Sequence, residues 1–523
     1  MLSYTLLFYN LLIFLSVPVN SFSTIPKFSK RNLESSIKMT IQSNNSFKEI
    51  ISATALVSGT TVGAGILALP TVALQPGFIP SSLALIACWV YMSITGLLIA
   101  EVNTNLHKDN NNNSNINTNS NNSNSQQIGI ISMVGQTLGN KAQVFSSIIY
   151  VFIHYSLLIA YIAEAGGILT NTLHLSEYPW SGPLLFTTLL GSLFTFGPSA
   201  VEGVNNLFVL AVLLSFFGLV GAGLSSIDLT NLNLIHQDYQ QLLPALPVIL
   251  VALVYHNIVP TICSQLKYTR KDIIISVAIG SLIPLIMFVL WDFLILDLLP
   301  SAPIEAADST QTGAVDYYTT TTSTGGGGSG SGSTTGGTVT QFNPIDLLLS
   351  PTSNTPSGEG SNQLGPLLSI FSESAVITSF IGFVYGLTDF FCDLYPSKLE
   401  RTGDWKLNSL VLLPPLLIAC TYPNIFNDAL ALSGTYGTST LFCIFPALMA
   451  LAYRSQRTTT TASCATTTSS STSTSSSTTT TNNVSGSSKY ISFVPGGPVV
   501  LYGVIAVAGF IIVQETLRLV TSS

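Results

Sequence analysis

The sequence predicts an all-α membrane protein of about eleven helices, two halves of five plus one more, with the first and sixth helices interrupted. Composition is the first observation. Of 523 residues, 47% are hydrophobic and 8% charged, and the mean hydropathy is +0.52; a soluble domain carries about 25% charged residues. The second is the set of apolar runs near the length that crosses hydrocarbon: 50–70, 78–101, 142–170, 182–198, 204–225, 244–264, 272–297, 367–393, 407–421, 428–452 and 495–517. The third is that the first and sixth runs carry helix-weakening residues at corresponding places. Spans one to five and six to ten are the expected repeats, with the eleventh an addition.

Ahead of the first span lies a region read as targeting sequence. Tyr4 to Val17 is an apolar run too short to span, and small residues precede a cleavage position after Ser21, the shape of a signal peptide. Residues 22–47 are rich in Ser, Thr and Asn with Lys27, Lys30, Arg31 and Lys38, a transit-peptide composition that begins with Phe22. This pair resembles the bipartite presequence of algae with complex plastids and points to a plastid envelope; the alternative is another membrane on the secretory route.

The first span contains GTTVGAGILALP, Gly59 to Pro70. Gly59, Gly63 and Gly65 lack a Cβ, Thr60, Thr61 and Val62 are β-branched, and Pro70 closes the run, so a helix is expected to break there. Hydrocarbon cannot satisfy a broken backbone, so such a break lines a wet cavity or is buried in protein. Bare amides at the start of a half-helix suit a carboxylate. Gly63, Ala64 and Gly65 are therefore candidate carboxylate binders, with Thr60 and Thr61 as hydroxyl donors; the alternative is a glycine surface for close helix packing.

Three hydrophilic inserts, 103–127 (Asn-rich), 301–363 (Thr/Gly/Ser-rich) and 458–488 (Thr/Ser-rich), are low-complexity and read as disordered loops without chemistry. They divide a transporter-like region at 48–517 and leave a tail at 518–523. Orientation follows from Lys and Arg. With the first span running inward to outward, Lys48, Lys108, Lys141, Lys267, Arg270, Lys271, Lys398, Arg401, Lys406, Arg454, Arg457 and Lys489 fall inside, and Arg518 alone falls outside. Positive residues stay on the untranslocated side, so the bias supports the topology.

The sixth span, LPALPVILVALVYHNIVP, places Tyr255, His256, Asn257 and Pro260 inside an apolar run. Paired interruptions in two halves mark the substrate site of an inverted-repeat transporter. Tyr255 and Asn257 could hold a substrate's amino group or ring, or only satisfy freed backbone groups.

These residues look familiar. GTTVGAGILALP, GFIPSSLALIACWVYMSITGLLIAEVN, LPVILVALVYHNIVP, GSLIPLIMFVLW, ITSFIGFVYGLTDFFCD, LVLLPPLLIACTYP and VPGG resemble the tyrosine and tryptophan permeases, the hydroxy and aromatic amino acid permease family. The resemblance covers about residues 50 to 517 outside the inserts. It implies a LeuT-like fold and proton-coupled import of tyrosine or tryptophan, with a sodium-coupled carrier as the alternative and a channel or membrane signalling protein as a rival class.

For coupling, His154, Tyr161 and Glu164 share one side of the third span, and ionisable groups inside spans are usually functional. Glu164 is the first candidate proton carrier, with His154 and His256 as rivals; structural readings are a carboxylate bonded to Tyr or His and a His capping a broken helix. Asp389 and Asp393, four residues apart, are candidate gate residues or partners of Lys398 and Arg401. Glu101 and Asp292 read as solvated interface positions. Trp89, Phe383 and Tyr385 read as packing. The six cysteines form no CxxC or Cys/His cluster, so no metal, cofactor or disulfide framework is expected. No basic patch suits nucleic acid, no Walker A loop suggests ATP, and no nucleophile–base pair suggests an enzyme. The expected partners are an aromatic amino acid and the lipid bilayer.

Overall fold

The computed structural model describes residues 47–114, 128–175, 177–223, 239–298, 361–394, 405–468 and 490–522. The targeting segments expected at residues 1–46 lie outside these, as do most of the three inserts. The chain divides at Glu49 into two units, of which the first contributes only Phe47, Lys48 and Glu49 to the described residues; the helical fold belongs to the second, Ile50–Ser523.

All regular structure among the described residues is helical. The first apolar run forms α1 (Phe47–Thr61) and α2 (Gly65–Ala73), bent by 55° across the break. Then come α3 (Phe78–Ser114), α4 (Ile130–Leu138), α5 (Asn140–Thr172), α6 (Ser181–Leu193) and α7 (Pro198–Gly223). The sixth run is α8 (Leu242–Ala252) and α9 (Val259–Gln265), followed by α10 (Arg270–Leu298) and α11 (Ser361–Leu394). The chain continues through α12 (Trp405–Thr421), α13 (Phe426–Leu432), a π-helical stretch (Ser433–Ile444), α14 (Phe445–Thr468) and α15 (Gly497–Ser522). Helix reaches further into the inserts than composition suggests, since α3 runs on to Ser114 and α14 to Thr468. Asn, Ser and Thr are poor but tolerated helix residues, and an established helix extends at low cost.

By length and composition, eight described helical segments can cross a membrane, the bent pair α1–α2 makes a ninth, and α6 and α12 are shorter apolar helices. The lipid-facing surface follows from spacing. On α7, Leu207, Leu210, Leu214 and Phe217 recur every three or four residues and are all exposed, an outward apolar stripe that water would penalise and lipid accepts.

Inside, large side chains such as Trp291, Tyr255, Phe288, Phe371 and Phe442 are fully buried in one continuous core. Glycine sets the closest helix crossings. A Cβ on Gly280 of α10 would stand 2.5 Å from Val57 Cβ and 2.9 Å from Thr54 O, so α1 and α10 approach through that position. The Ser58 hydroxyl donates across the same contact to Gly280 O at 2.7 Å.

Candidate functional site

The first break occupies Val62–Ala64, where glycine and β-branched residues weaken the helix. The last bond of α1 there is Val62 N–H to Ser58 O (3.0 Å), and the chain re-enters α2 through tight bonds from Ile66 to Gly63 O (3.2 Å) and Leu67 to Ala64 O (3.1 Å). The N-terminus of α2 has no side-chain cap of its own. Instead, Ala64 N–H donates to Ser379 Oγ of α11 at 2.7 Å. A Cβ on Gly63 would stand 2.5 Å from that same hydroxyl. Thr60 and Thr61, expected as donors toward a ligand, donate backwards to Leu56 O and Val57 O, each at 2.8 Å. Thr60 is exposed and Thr61 buried.

The second break follows Ala252. Leu253 and Val254 close the C-terminal turn of α8 (3.2 Å each), a 3₁₀ turn spans His256–Ile258, and α9 begins with Pro260 in its first turn. The two breaks meet. A Cβ on Gly65 would stand 2.9 Å from Ala252 Cα, so the start of α2 lies backbone to backbone against the end of α8.

Tyr255 is buried and its hydroxyl donates to Met92 O at 3.2 Å, over Gly96, whose absent Cβ makes room for the ring. His256 is fully buried, with Nε2 2.8 Å from Thr95 Oγ1. Thr95 Oγ1 also lies 3.0 Å from Met92 O. His256 Nδ1 has no hydrogen-bond partner, and Asn257 Oδ1 likewise has none.

On α5, His154 is buried, Nδ1–H donates to Tyr150 O (2.8 Å), and the ring lies 4.0 Å from Tyr150 and 5.1 Å from Phe383. Tyr161 is buried against Phe383 (5.7 Å). Ser379 joins α11 to the first break. Glu164 is half-buried one turn further on. Asp389 and Asp393 are exposed at the end of α11, and Lys398 and Arg401 lie outside the described residues. Trp89 and Tyr385 are half-buried: the Trp89 indole donates to Ser281 Oγ (2.9 Å) and Tyr385 packs on Phe194 (5.5 Å).

Two expectations need correction. Glu101 is no solvated interface residue. It is 1% exposed, its carboxylate takes Arg454 in a two-point pair (Nε–Oε1 2.8 Å, Nη2–Oε2 2.9 Å), and it accepts from Tyr490 and from the amides of Phe493 (2.8 Å) and Val494 (3.2 Å). Asn105, one turn on, bonds both backbone groups of Ile491 (2.8 and 3.1 Å). Asp292 is also 1% exposed, and its Oδ1 has no partner. Hydropathy placed both near span ends, but it cannot report that neighbouring helices and the Tyr490–Val494 segment cover those ends. Ser379 was equally hidden: a hydroxyl in an apolar run gives no sign of facing a break on another helix.

The sequence profile described as the tryptophan/tyrosine permease family matches residues 46–324 and 353–468. The chain is 26% identical over 388 residues to the tyrosine-specific transport system 1 of Haemophilus influenzae, covering 73% of this chain and 83% of that protein. It is 27% identical over 415 residues to the tryptophan-specific transport protein of the same organism (77% and 87% covered). With the low affinity tryptophan permease of Escherichia coli it shares 24% identity over 414 residues (77% and 86% covered).

Proposed function

We infer, for a chain that belongs to the tryptophan/tyrosine permease family, that it carries tyrosine or tryptophan across a membrane by proton symport with alternating access. The observation that carries this reading is the meeting of two broken helices, Gly65 against Ala252. Relatives bearing the names of tyrosine and tryptophan transport proteins along most of the chain support the substrate class.

In this reading the substrate carboxylate lies at Gly63, Ala64 and Gly65, where the α2 N-terminus favours negative charge. It takes over the Ala64 amide from Ser379. The ammonium group needs acceptors, and Asn257 Oδ1 is a buried acceptor with none of its own bonds made. Tyr255 shapes the floor beside it, while Thr60 and Thr61 stiffen the end of α1 through their backward bonds. Glu164, His256 and His154 are the candidate proton carriers, and Asp389 and Asp393 the candidate inner gate.

The eight long segments, the bent pair and the two shorter helices supply eleven candidate spans for a LeuT-like arrangement of five plus five plus one. The presequence composition supports a plastid envelope as the membrane, with another membrane on the secretory route as the alternative. Uptake by purified protein in liposomes tests the reading, with labelled tyrosine, tryptophan and phenylalanine under separately imposed proton and sodium gradients. Proton-driven uptake of tyrosine or tryptophan is expected. Uptake driven by sodium alone replaces the coupling ion, and no gradient-driven uptake of any of the three overturns the assignment.

A further inference from the structure

The outer end of α10 carries a group that the proposed substrate site does not use. Asp292 is 1% exposed, and Oδ1 has no hydrogen-bond partner. Further buried polar atoms without partners occur on α10 and on helices of the same core: Trp291 Nε1 on α10, Ser372 Oγ on α11, Ser81 and Ser82 Oγ on α3, and Thr71 Oγ1 on α2. Ring contacts show that α11 and α3 pack against the turn of α10 that carries Asp292. Trp291 lies 4.7 Å from Phe371, and Phe293 lies 5.5 Å from Phe78. Native proteins leave few buried polar groups unpaired, and a cluster of them is a place for a ligand or water.

The charges facing Asp292 narrow the choice of ligand. Among the described residues, α2 carries no ionisable side chain. On α3, Glu101, His107, Lys108 and Asp109 lie at the inner end, more than 20 residues and about 30 Å of helix below Phe78. Glu202 of α7 sits in its inner first turns, and Asp389 and Asp393 of α11 at its inner end. On α10 itself, Arg270, Lys271 and Asp272 mark the inner start. Glu373, beside Ser372 on α11, adds only another carboxyl. No described cation stands at the level of Asp292 on these helices. An unpaired carboxylate sealed from water costs several kcal/mol, and one proton removes that cost.

We propose that the Asp292 carboxyl is a proton-binding site, loaded from the outer side while the outer half is open and sealed beneath α3 and α11 when it closes. The proton comes from outer water and leaves a neutral carboxylic acid, which can donate to Ser372 or a Ser81–Ser82 hydroxyl on closure. Outer pH thereby enters the transport cycle through one residue. The inference rests on the proposed proton-linked alternating access.

The test has two arms on the full chain in lipid vesicles. In the first, infrared difference spectra between acidic and alkaline outer medium should contain a protonated-carboxyl stretch that vanishes in Asp292→Asn and shifts in Asp292→Glu. In the second, tyrosine uptake should rise several-fold as outer pH falls from about 8 to 5, Asp292→Glu should keep that slope, and whatever uptake Asp292→Asn retains should be flat. A carboxyl band unmoved by either substitution overturns the site, even if the Asn variant is inactive. A wild-type slope kept in Asp292→Asn overturns its role. A wild-type response to sodium and not to pH, with the infrared band assigned to Asp292, leaves the proton site standing and removes proton coupling from the transport proposal.

Discussion

At the scale of single residues, the site is a set of bonds that substitutions can redistribute. Ser379→Ala removes the acceptor from Ala64 N–H and should lower thermal stability of the detergent-purified protein by about 1 kcal/mol. The freed amide has no competing hydroxyl, so KM for tyrosine should fall by about fivefold under the same reading. Gly65→Ala forces a methyl to within 2.9 Å of Ala252 Cα; a loss of about 1–3 kcal/mol is expected, together with loss of uptake. The Glu101–Arg454 pair predicts a sharper asymmetry. Arg454→Met alone strands a buried carboxylate and should cost about 3–5 kcal/mol, whereas Glu101→Gln with Arg454→Met should recover part of that loss in a double-mutant cycle. Tyr490 adds a pH signature. Burial, then its bond to the Glu101 carboxylate, holds the phenol above its usual value. The folded state therefore favours the neutral phenol: its contribution is complete below about pH 10 and is lost as pH rises through the raised folded value. Alkaline melting curves should show a loss in the wild type that Tyr490→Phe lacks.

At the scale of elements, the two breaks were legible because their cause is local. Glycine, β-branched residues and proline weaken a helix wherever it lies, and the breaks at Val62–Ala64 and Val254–Tyr255 fall among the residues that predict them. The π-helical stretch Ser433–Ile444 was not legible, because a π turn is chosen by packing and SGTYGTSTLFCI has no sequence mark for it. It packs closely on its neighbour: a Cβ on Gly434 would stand 2.1 Å from Pro247 O of α8. Gly434→Ala should therefore push the π stretch away from α8 and cost about 1–3 kcal/mol, read by thermal unfolding. The buried partners of Glu101 and the bare surroundings of Asp292 escaped for the same reason. Each depends on which remote segment covers a helix end, and hydropathy averages along the chain without reference to neighbours.

For the whole molecule, composition was enough to predict the helical class, and the charge bias makes a separate prediction about the side on which each loop lies. Lys141, exposed in the first turn of α5, tests the orientation directly. An impermeant amine reagent should modify it only from the side that also reaches Lys406. Labelling of the two from opposite faces would break the topology at an identifiable span. The buried carboxyl groups are unevenly treated. Glu101 of α3 has its oxygens met by several donors, whereas Asp292, in the C-terminal turns of α10, has an oxygen that no group satisfies.

The Glu101 cluster also sets an order of events in time. Glu101 is made 389 residues before Tyr490, the nearest in sequence of its Tyr490–Val494 donors. At about 5–20 residues per second of synthesis the wait is roughly 20–80 s. For the first 353 of those residues none of its donors exists, and then Arg454 alone arrives ahead of Tyr490. The Glu101 region of α3 is thus made early and completed late, so ribosomes stalled ahead of Tyr490 should leave it open to quality-control proteases.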